Sequence, residues 1–141
     1  MRKRRRANQA GVTLIEMLVV VTIIALFAGL VGLRMWKQAD KARVTAARAQ
    51  INTLMAALNT SKMDTGQFPT TEQGLQVLRV APPNAANWQG PYLEREVPND
   101  PWGNPYVYHC PGTHNTTSYD LYSLGPDGRE GNDDIDNWTQ H

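Results

Sequence analysis

Two sets of carboxylates stand out by where they sit. Glu16 follows Gly11-Val12-Thr13-Leu14-Ile15 and immediately precedes Met17 to Leu33, a run of 17 residues with no charge and with Thr22 as its only hydroxyl. A carboxylate at the edge of such a run is costly to bring into hydrocarbon, so it marks a functional position by default. The plainer alternative is that Glu16 snorkels to the interface. Near the other end, Asp127, Asp133, Asp134 and Asp136 fall within ten residues, among glycines and Asn132. Clustered carboxylates on a flexible loop suit calcium, a hard cation that takes about six to eight oxygens. The spacing is not that of an EF-hand, and composition alone describes a solvated acidic turn equally well. His109, Cys110 and His114 lie close enough to suggest zinc but lack the paired spacing of structural sites. No Ser, His and Asp set has a motif context that suggests a nucleophile, so the residues do not point to an enzyme.

The elements around these residues follow from pattern. From Val12 to Leu33 is 22 residues, ~33 Å as helix, which matches a bilayer core. Arg2, Lys3, Arg4, Arg5 and Arg6 precede it and should stay cytoplasmic, so the remainder of the chain points outward. An ordinary secretory signal peptide would need a small-x-small cleavage site after the apolar run. The run instead ends Leu30-Val31-Gly32-Leu33-Arg34, with a large side chain at each candidate −3 position.

Leu33 to Lys62 contains no Gly or Pro. Val44, Ala47, Ile51, Leu54 and Leu58 keep the 3-4-3-4 spacing of one helical face, with Lys37, Lys41, Arg48 and Asn52 on another. The spacing predicts one helix of ~50 residues, half in lipid and half amphipathic; a kink at Gly29 or Gly32 is the alternative. Asp64-Thr65-Gly66 should end it, with the glycine as C-cap. Thr70 and Gln73 fit a capping box for a short helix of about two turns, closed by Pro82-Pro83. Tyr106 to Cys110 and Ser118 to Leu124 read as strands separated by Pro111-Gly112-Thr113. Trp88, Tyr92, Trp102, Tyr106 and Tyr108 are expected to cover the helix rather than to form a ligand cage.

The overall charge of +1 conceals an asymmetry. The first 11 residues hold five of the 14 basic residues and none of the 13 acidic ones, so residues 12–141 carry −4. That balance excludes gripping nucleic acid by its phosphates. The single cysteine, Cys110, rules out an intrachain disulfide.

Gly11-Val12-Thr13-Leu14-Ile15-Glu16 before a long apolar helix resembles the class III signal of the type IV pilin superfamily. Phe68-Pro-Thr-Thr-Glu-Gln-Gly-Leu75, Gly90-Pro-Tyr-Leu93, Pro98-Asn-Asp-Pro-Trp-Gly-Asn-Pro-Tyr106 and Ser123-Leu-Gly-Pro-Asp-Gly128 are similar to a narrower family, the major pseudopilins (protein G) of type II secretion. Val12 departs from it, since the family more often carries Phe or Met there.

The resemblance implies an α+β fold, a long N-terminal helix packed against a small antiparallel sheet. It implies a leader, 1–11, cut after Gly11 by a prepilin peptidase that methylates the new amine of Val12. A transmembrane and assembly helix, 12–33, and a periplasmic head, 34–141, would then make a single-pass inner-membrane protein. Cutting removes all five leader charges and leaves the α-amine of Val12 as the only cation near Glu16. In a staggered array that amine comes from the next subunit, and Glu16 sets the register of a homopolymeric fibre. The partners implied are further copies, minor pseudopilins and an inner-membrane assembly platform. The resemblance also implies calcium, held by Asp127, Asp133 and Asp134 through side-chain oxygens and by Leu124 through its carbonyl, with Gly131 a further candidate. A structural subunit of the secretion pseudopilus is the expected function. A type IV pilus or DNA-uptake pilin would share the N-terminal half but not this head, and a membrane-anchored periplasmic enzyme would keep its activity without the anchor.

Overall fold

The computed structural model describes residues 11–83 and 85–139, apart from the side chains of 33–36. The basic cluster Arg2–Arg6 lies outside the described residues. The chain divides into two compact units, one ending at Ala39 and the other beginning at Asp40.

Helix α1 spans Leu14–Thr65, 52 residues, and contributes to both units. Thr13 starts it: its Oγ1 accepts the Glu16 N–H at 3.3 Å, which satisfies one of the orphan donors of the first turn. In the first unit the apolar side chains are exposed, from Val12 at 60% to Leu30 at 62%. Thr22, the lone hydroxyl of that run, donates to the Leu18 carbonyl at 2.7 Å, so it asks nothing of its surroundings. By length and composition α1 is the one helix among the described residues able to cross a membrane.

In the second unit the periodic face is buried. Ala47, Ile51, Leu54 and Leu58 are at most 2% exposed, and Val44 packs at the edge of the same cluster. Lys37, Lys41, Arg48 and Asn52 are exposed, as the helical spacing requires. Gly66 ends α1 with φ +85°, its N–H on the Lys62 carbonyl at 2.8 Å. Thr70 and Gln73 then form the reciprocal capping box: Thr70 N–H to Gln73 Oε1 at 2.9 Å, Gln73 N–H to Thr70 Oγ1 at 3.3 Å. The helical segment after the box is shorter than the expected two turns, a single 3-10 turn at Leu75–Leu78. Gly74, with φ +59°, interrupts the helical backbone between the box and the apolar residues it should have led into.

Three short strands form one antiparallel sheet in the order β1 (Val107–His109), β2 (Asp120–Ser123), β3 (Ile135–Asp136). Tyr108 pairs with Leu121 and Ser123 with Ile135. Sequence pattern does not predict β3, because two residues of pairing leave little periodicity to read. All four residues of the central strand β2 are buried. Tyr106 and Tyr108 join the core over α1, whereas Tyr92 and Trp102 only edge it. Tyr108 donates to the Pro69 carbonyl at 2.7 Å, and Tyr106 hydrogen-bonds Gln50 of α1. Tyr119 completes the aromatic layer, edge-on to Phe68 at 4.7 Å.

Candidate assembly and metal-binding sites

Gly11, Val12 and Thr13 precede the first helical turn, and Gly11 and Val12 are exposed. A Cβ on Gly11 would meet nothing within 4 Å, so the fold itself does not demand glycine there. The junction is therefore open to an external reagent. Glu16 lies in the first turn, three residues past Thr13, where the helix dipole favours a negative charge. Thr13-x-x-Glu16 is the spacing of an N-terminal cap, a signal present in the sequence that the reading by motif passes over. Glu16 itself is exposed, as are its apolar neighbours Leu14, Ile15 and Met17.

The acidic loop runs from the end of β2 to β3. Gly125 opens it with φ +66°, and a Cβ there would stand 2.8 Å from the Asp133 carbonyl oxygen. Only glycine allows that approach, which brings the Leu124-Gly125 end of the loop onto the Asp133-Asp134 end. The Asp133 carboxylate reaches both glycine positions: Oδ2 lies 3.4 Å from a Cβ built on Gly125 and Oδ1 3.2 Å from one on Gly131. Asp134 accepts the Gly131 N–H at Oδ2, 3.2 Å, while its Oδ1 is buried with no hydrogen-bond partner. Burial pushes the Asp134 carboxyl above the usual range; the Gly131 N–H opposes this, and the charges of Asp133, Glu130 and Asp127 add to it. Asp127 turns onto its own segment, with Oδ1 accepting the Arg129 N–H at 2.9 Å. Gly131 offers its N–H to Asp134, which leaves its carbonyl free of that bond.

Among the described residues no three His, Cys, Asp or Glu side chains are gathered where they could hold a metal ion. The loop nevertheless suits a hard cation in its chemistry: all donors are oxygen, neighbouring carboxylates help to raise Asp134, and one buried oxygen of Asp134 lacks a partner. The His109, Cys110 and His114 trio is dispersed. His109 is exposed, the Cys110 N–H is held by Thr71 Oγ1, and His114 stacks on Trp138 at 4.1 Å.

Two carboxylates that sequence reasoning does not single out are the best-built in the head. Asp120, 1% exposed, accepts the N–H groups of Thr113 (2.7 Å), His114 (2.8 Å) and Asn115 (2.9 Å), and its Oδ2 lies 3.3 Å from His114 Nδ1. Burial alone would raise its pKa, but the N–H groups of His114, Asn115 and Thr113 outweigh that and hold it low. Asp100, 4% exposed, accepts from Ser123 Oγ at 2.6 Å and from the N–H groups of Trp102 and Asn104. Its place in Asn99-Asp100-Pro101 is a turn signal that carries no hint of burial.

Comparison with known proteins agrees on both halves of the chain. Residues 34–138 match the family model of type II secretion system protein G, and residues 6–32 match the prokaryotic N-terminal methylation motif. The type II secretion system core protein G of Pseudomonas aeruginosa is 45% identical over 141 residues, covering 95% of this chain and 98% of that protein. That of Escherichia coli K12 is 43% identical over 139 residues, covering 96% and 94%. The crystal structure of the major pseudopilin from the type 2 secretion system of enterohaemorrhagic Escherichia coli superposes with a TM-score of 0.65 at 35% identity, covering 74% of this chain and 94% of that one. With its head matched over 105 residues and its N-terminal motif matched separately, this chain belongs to the type II secretion system protein G family.

Proposed function

We propose that this chain is the major structural subunit of the periplasmic pseudopilus that drives export of folded proteins across the outer membrane by type II secretion. The observation that carries the reading is the apolar first half of α1. It is exposed over its whole circumference, bears one carboxylate, and begins beside an open Gly11-Val12 junction. An exposed apolar surface of that extent requires lipid or other copies of the helix. Processing after Gly11 leaves residues 12–33 as the single-pass anchor and assembly helix, with residues 34–141 as a periplasmic head. The new α-amine of Val12 and Glu16 form the complementary pair that sets subunit register. A prepilin peptidase, an inner-membrane assembly platform and minor pseudopilins are the partners this scheme needs. The match of residues 34–138 to protein G favours secretion over an adhesive or DNA-uptake pilus, which would share the N-terminal segment only.

Within the head, Asp127, Asp133 and Asp134 supply carboxylate oxygens and Leu124 a backbone carbonyl for calcium. The partnerless Asp134 Oδ1 is the feature that supports this reading. Bound calcium supplies positive charge that offsets the repulsion among these groups.

Deletion of the gene tests the function. Exoproteins should accumulate in the periplasm and return to the medium on complementation. Normal secretion with loss of adhesion or of DNA uptake would overturn it.

A further inference from the structure

We infer that Asp100 is the positioning residue of the acidic loop, a buried latch that fixes the loop backbone from outside the proposed ligand set. The inference rests on the proposed calcium site for its purpose, and on hydrogen bonding for its geometry. Asp100 lies in the turn before β1, 23 residues from Ser123, and touches none of Asp127, Asp133 or Asp134 through a hydrogen bond among the described residues. Its own turn is rigid: its N–H donates to the Asn104 carbonyl at 2.8 Å, and its carbonyl accepts the Gly103 N–H at 2.9 Å.

From that base two arms reach the loop. In the first, Ser123 directs its only hydroxyl proton to Asp100 Oδ2, so its oxygen can serve only as an acceptor on the other side. That acceptor takes the Gly125 N–H at 3.1 Å. In the second, Asn104 is held through its backbone N–H by Asp100 Oδ1 at 2.8 Å and donates Nδ2 to the Gly125 carbonyl at 3.3 Å. The same amide flanks Gly128, with Oδ1 3.4 Å from a Cβ built there. Both backbone polar groups of Gly125 are therefore fixed by side chains that answer to one carboxylate.

Gly125 is where this matters. It follows Leu124, whose carbonyl is a proposed ligand, and a Cβ built on it would stand 2.8 Å from the Asp133 carbonyl oxygen. Fixing both its N–H and its C=O sets the plane of the peptide after it and pins the one before it, which carries the Leu124 carbonyl. A buried carboxylate is an expensive way to fill space; an apolar side chain of similar volume would serve packing as well. What a carboxylate adds is direction, since its charge-assisted bonds are short and oriented. Outer groups of this kind orient the ligands of metal sites and are felt in affinity although they never touch the ion.

The test uses the full-length mature protein in detergent micelles, with calcium titration followed by calorimetry and with backbone amide exchange measured in chelator. Asp100→Asn and Ser123→Ala should each weaken calcium binding by about tenfold or more. Each should also speed exchange of the 125–134 amides in the metal-free protein. Leu58→Ala, a core substitution away from the loop, should lower the melting temperature at least as far while leaving both readouts at wild-type values. Wild-type affinity and exchange in Asp100→Asn and Ser123→Ala would overturn the latch, as would an equal change in Leu58→Ala, which would reduce Asp100 to a structural residue. Should Asp100→Asn fail to fold, Asn104→Ala removes the second arm alone and must still accelerate exchange at Gly125 and Gly128. A wild-type protein that ignores calcium would overturn the metal reading separately, and the exchange measurement would then decide the latch by itself.

Discussion

Leu18, Ile24 and Leu30 in the first half of α1 are 61–62% exposed; Leu54 and Leu58 in the second half are 2% and 0% exposed. The residue types are interchangeable and the helix assignment is one. The second half finds its cover within the chain, where the 3-10 turn, Tyr106, Tyr108, Tyr119 and Leu121 close over it. The first half finds none among the described residues, and in the proposed function lipid or further copies of the helix cover it. The carboxylates divide in the same way. Asp100 and Asp120 are buried with donors on every side, whereas Glu16 faces outward from an apolar segment. A head whose apolar core closes on itself, beside a helix whose apolar side chains find no cover among the described residues, fits the polymerising subunit proposed above.

The sharpest break between the halves should come from processing. A Cβ built on Gly11 meets nothing within 4 Å among the described residues, so a bulky residue there should leave the head intact. The expected result is an all-or-none loss of cleavage, with precursor retained in the inner membrane and an unchanged melting temperature of the head. Mass spectrometry of the wild-type N-terminus should find a start at Val12; a start near Gly32 or Met35 would place the cut on the wrong side of the anchor.

Next in size is the contrast within the helix. Leu54→Ala or Leu58→Ala should cost the head about 2–5 kcal/mol, because each opens a cavity in a closed core. Leu18→Ala or Ile24→Ala should move head stability by no more than about 0.5 kcal/mol. Thermal unfolding of the full-length protein in micelles reads both. Equal losses from the two pairs would mean that the first half is also covered by its own chain.

Calcium should have an effect of similar or smaller size, confined to the head. At a hundredfold excess over its dissociation constant it should add ~2.7 kcal/mol of stability, reversed by chelator. Asp127→Ala or Asp134→Ala should abolish the gain, and magnesium should give much less, since it demands a tighter octahedral site. Cleavage at Gly11 should be untouched.

The smallest effect is in pH. Asp120 is held below the ordinary carboxylate value of 3.8, so its contribution is present above that value and is lost as pH falls through the lowered one. Asp120→Asn should therefore lower stability at neutral pH and flatten the acid limb of the stability curve. Asp134 has the opposite sign. Its raised pKa gives a contribution that is present below 3.8 and lost as pH climbs through the raised value, so metal-free Asp134→Asn should be more stable than wild type at neutral pH. A parallel response of both variants to acid would remove the distinction between a satisfied and an unsatisfied buried carboxylate.

Much of the fold is legible in the sequence because its signals are local. The 3-4-3-4 face of Val44 to Leu58, the Gly66 cap and the Thr70–Gln73 box depend on neighbours a few residues away, and each lies where the pattern places it. The 3-10 turn and β3 are obscured because Gly74 and a partner strand, rather than local pattern, decide them. Of the proposed functional positions, Gly11, Val12 and Glu16 are legible from a motif, and the aspartates of the acidic loop from clustering. Asp100, Asn104 and Ser123 are not. Their roles arise from contacts across 21 to 23 residues of chain, which no spacing rule records.

The central claim is that the uncovered half of α1 is a polymerisation surface keyed by Glu16. The direct measurement is electron microscopy and quantification of fibres sheared from cells that express the full-length chain with its leader, wild type beside Glu16→Ala. The wild type should yield fibres whose subunits begin at Val12. Glu16→Ala should insert and be processed normally, since losing a charge eases insertion, yet yield few or no fibres. Fibres of Glu16→Ala as abundant as those of the wild type would contradict the account.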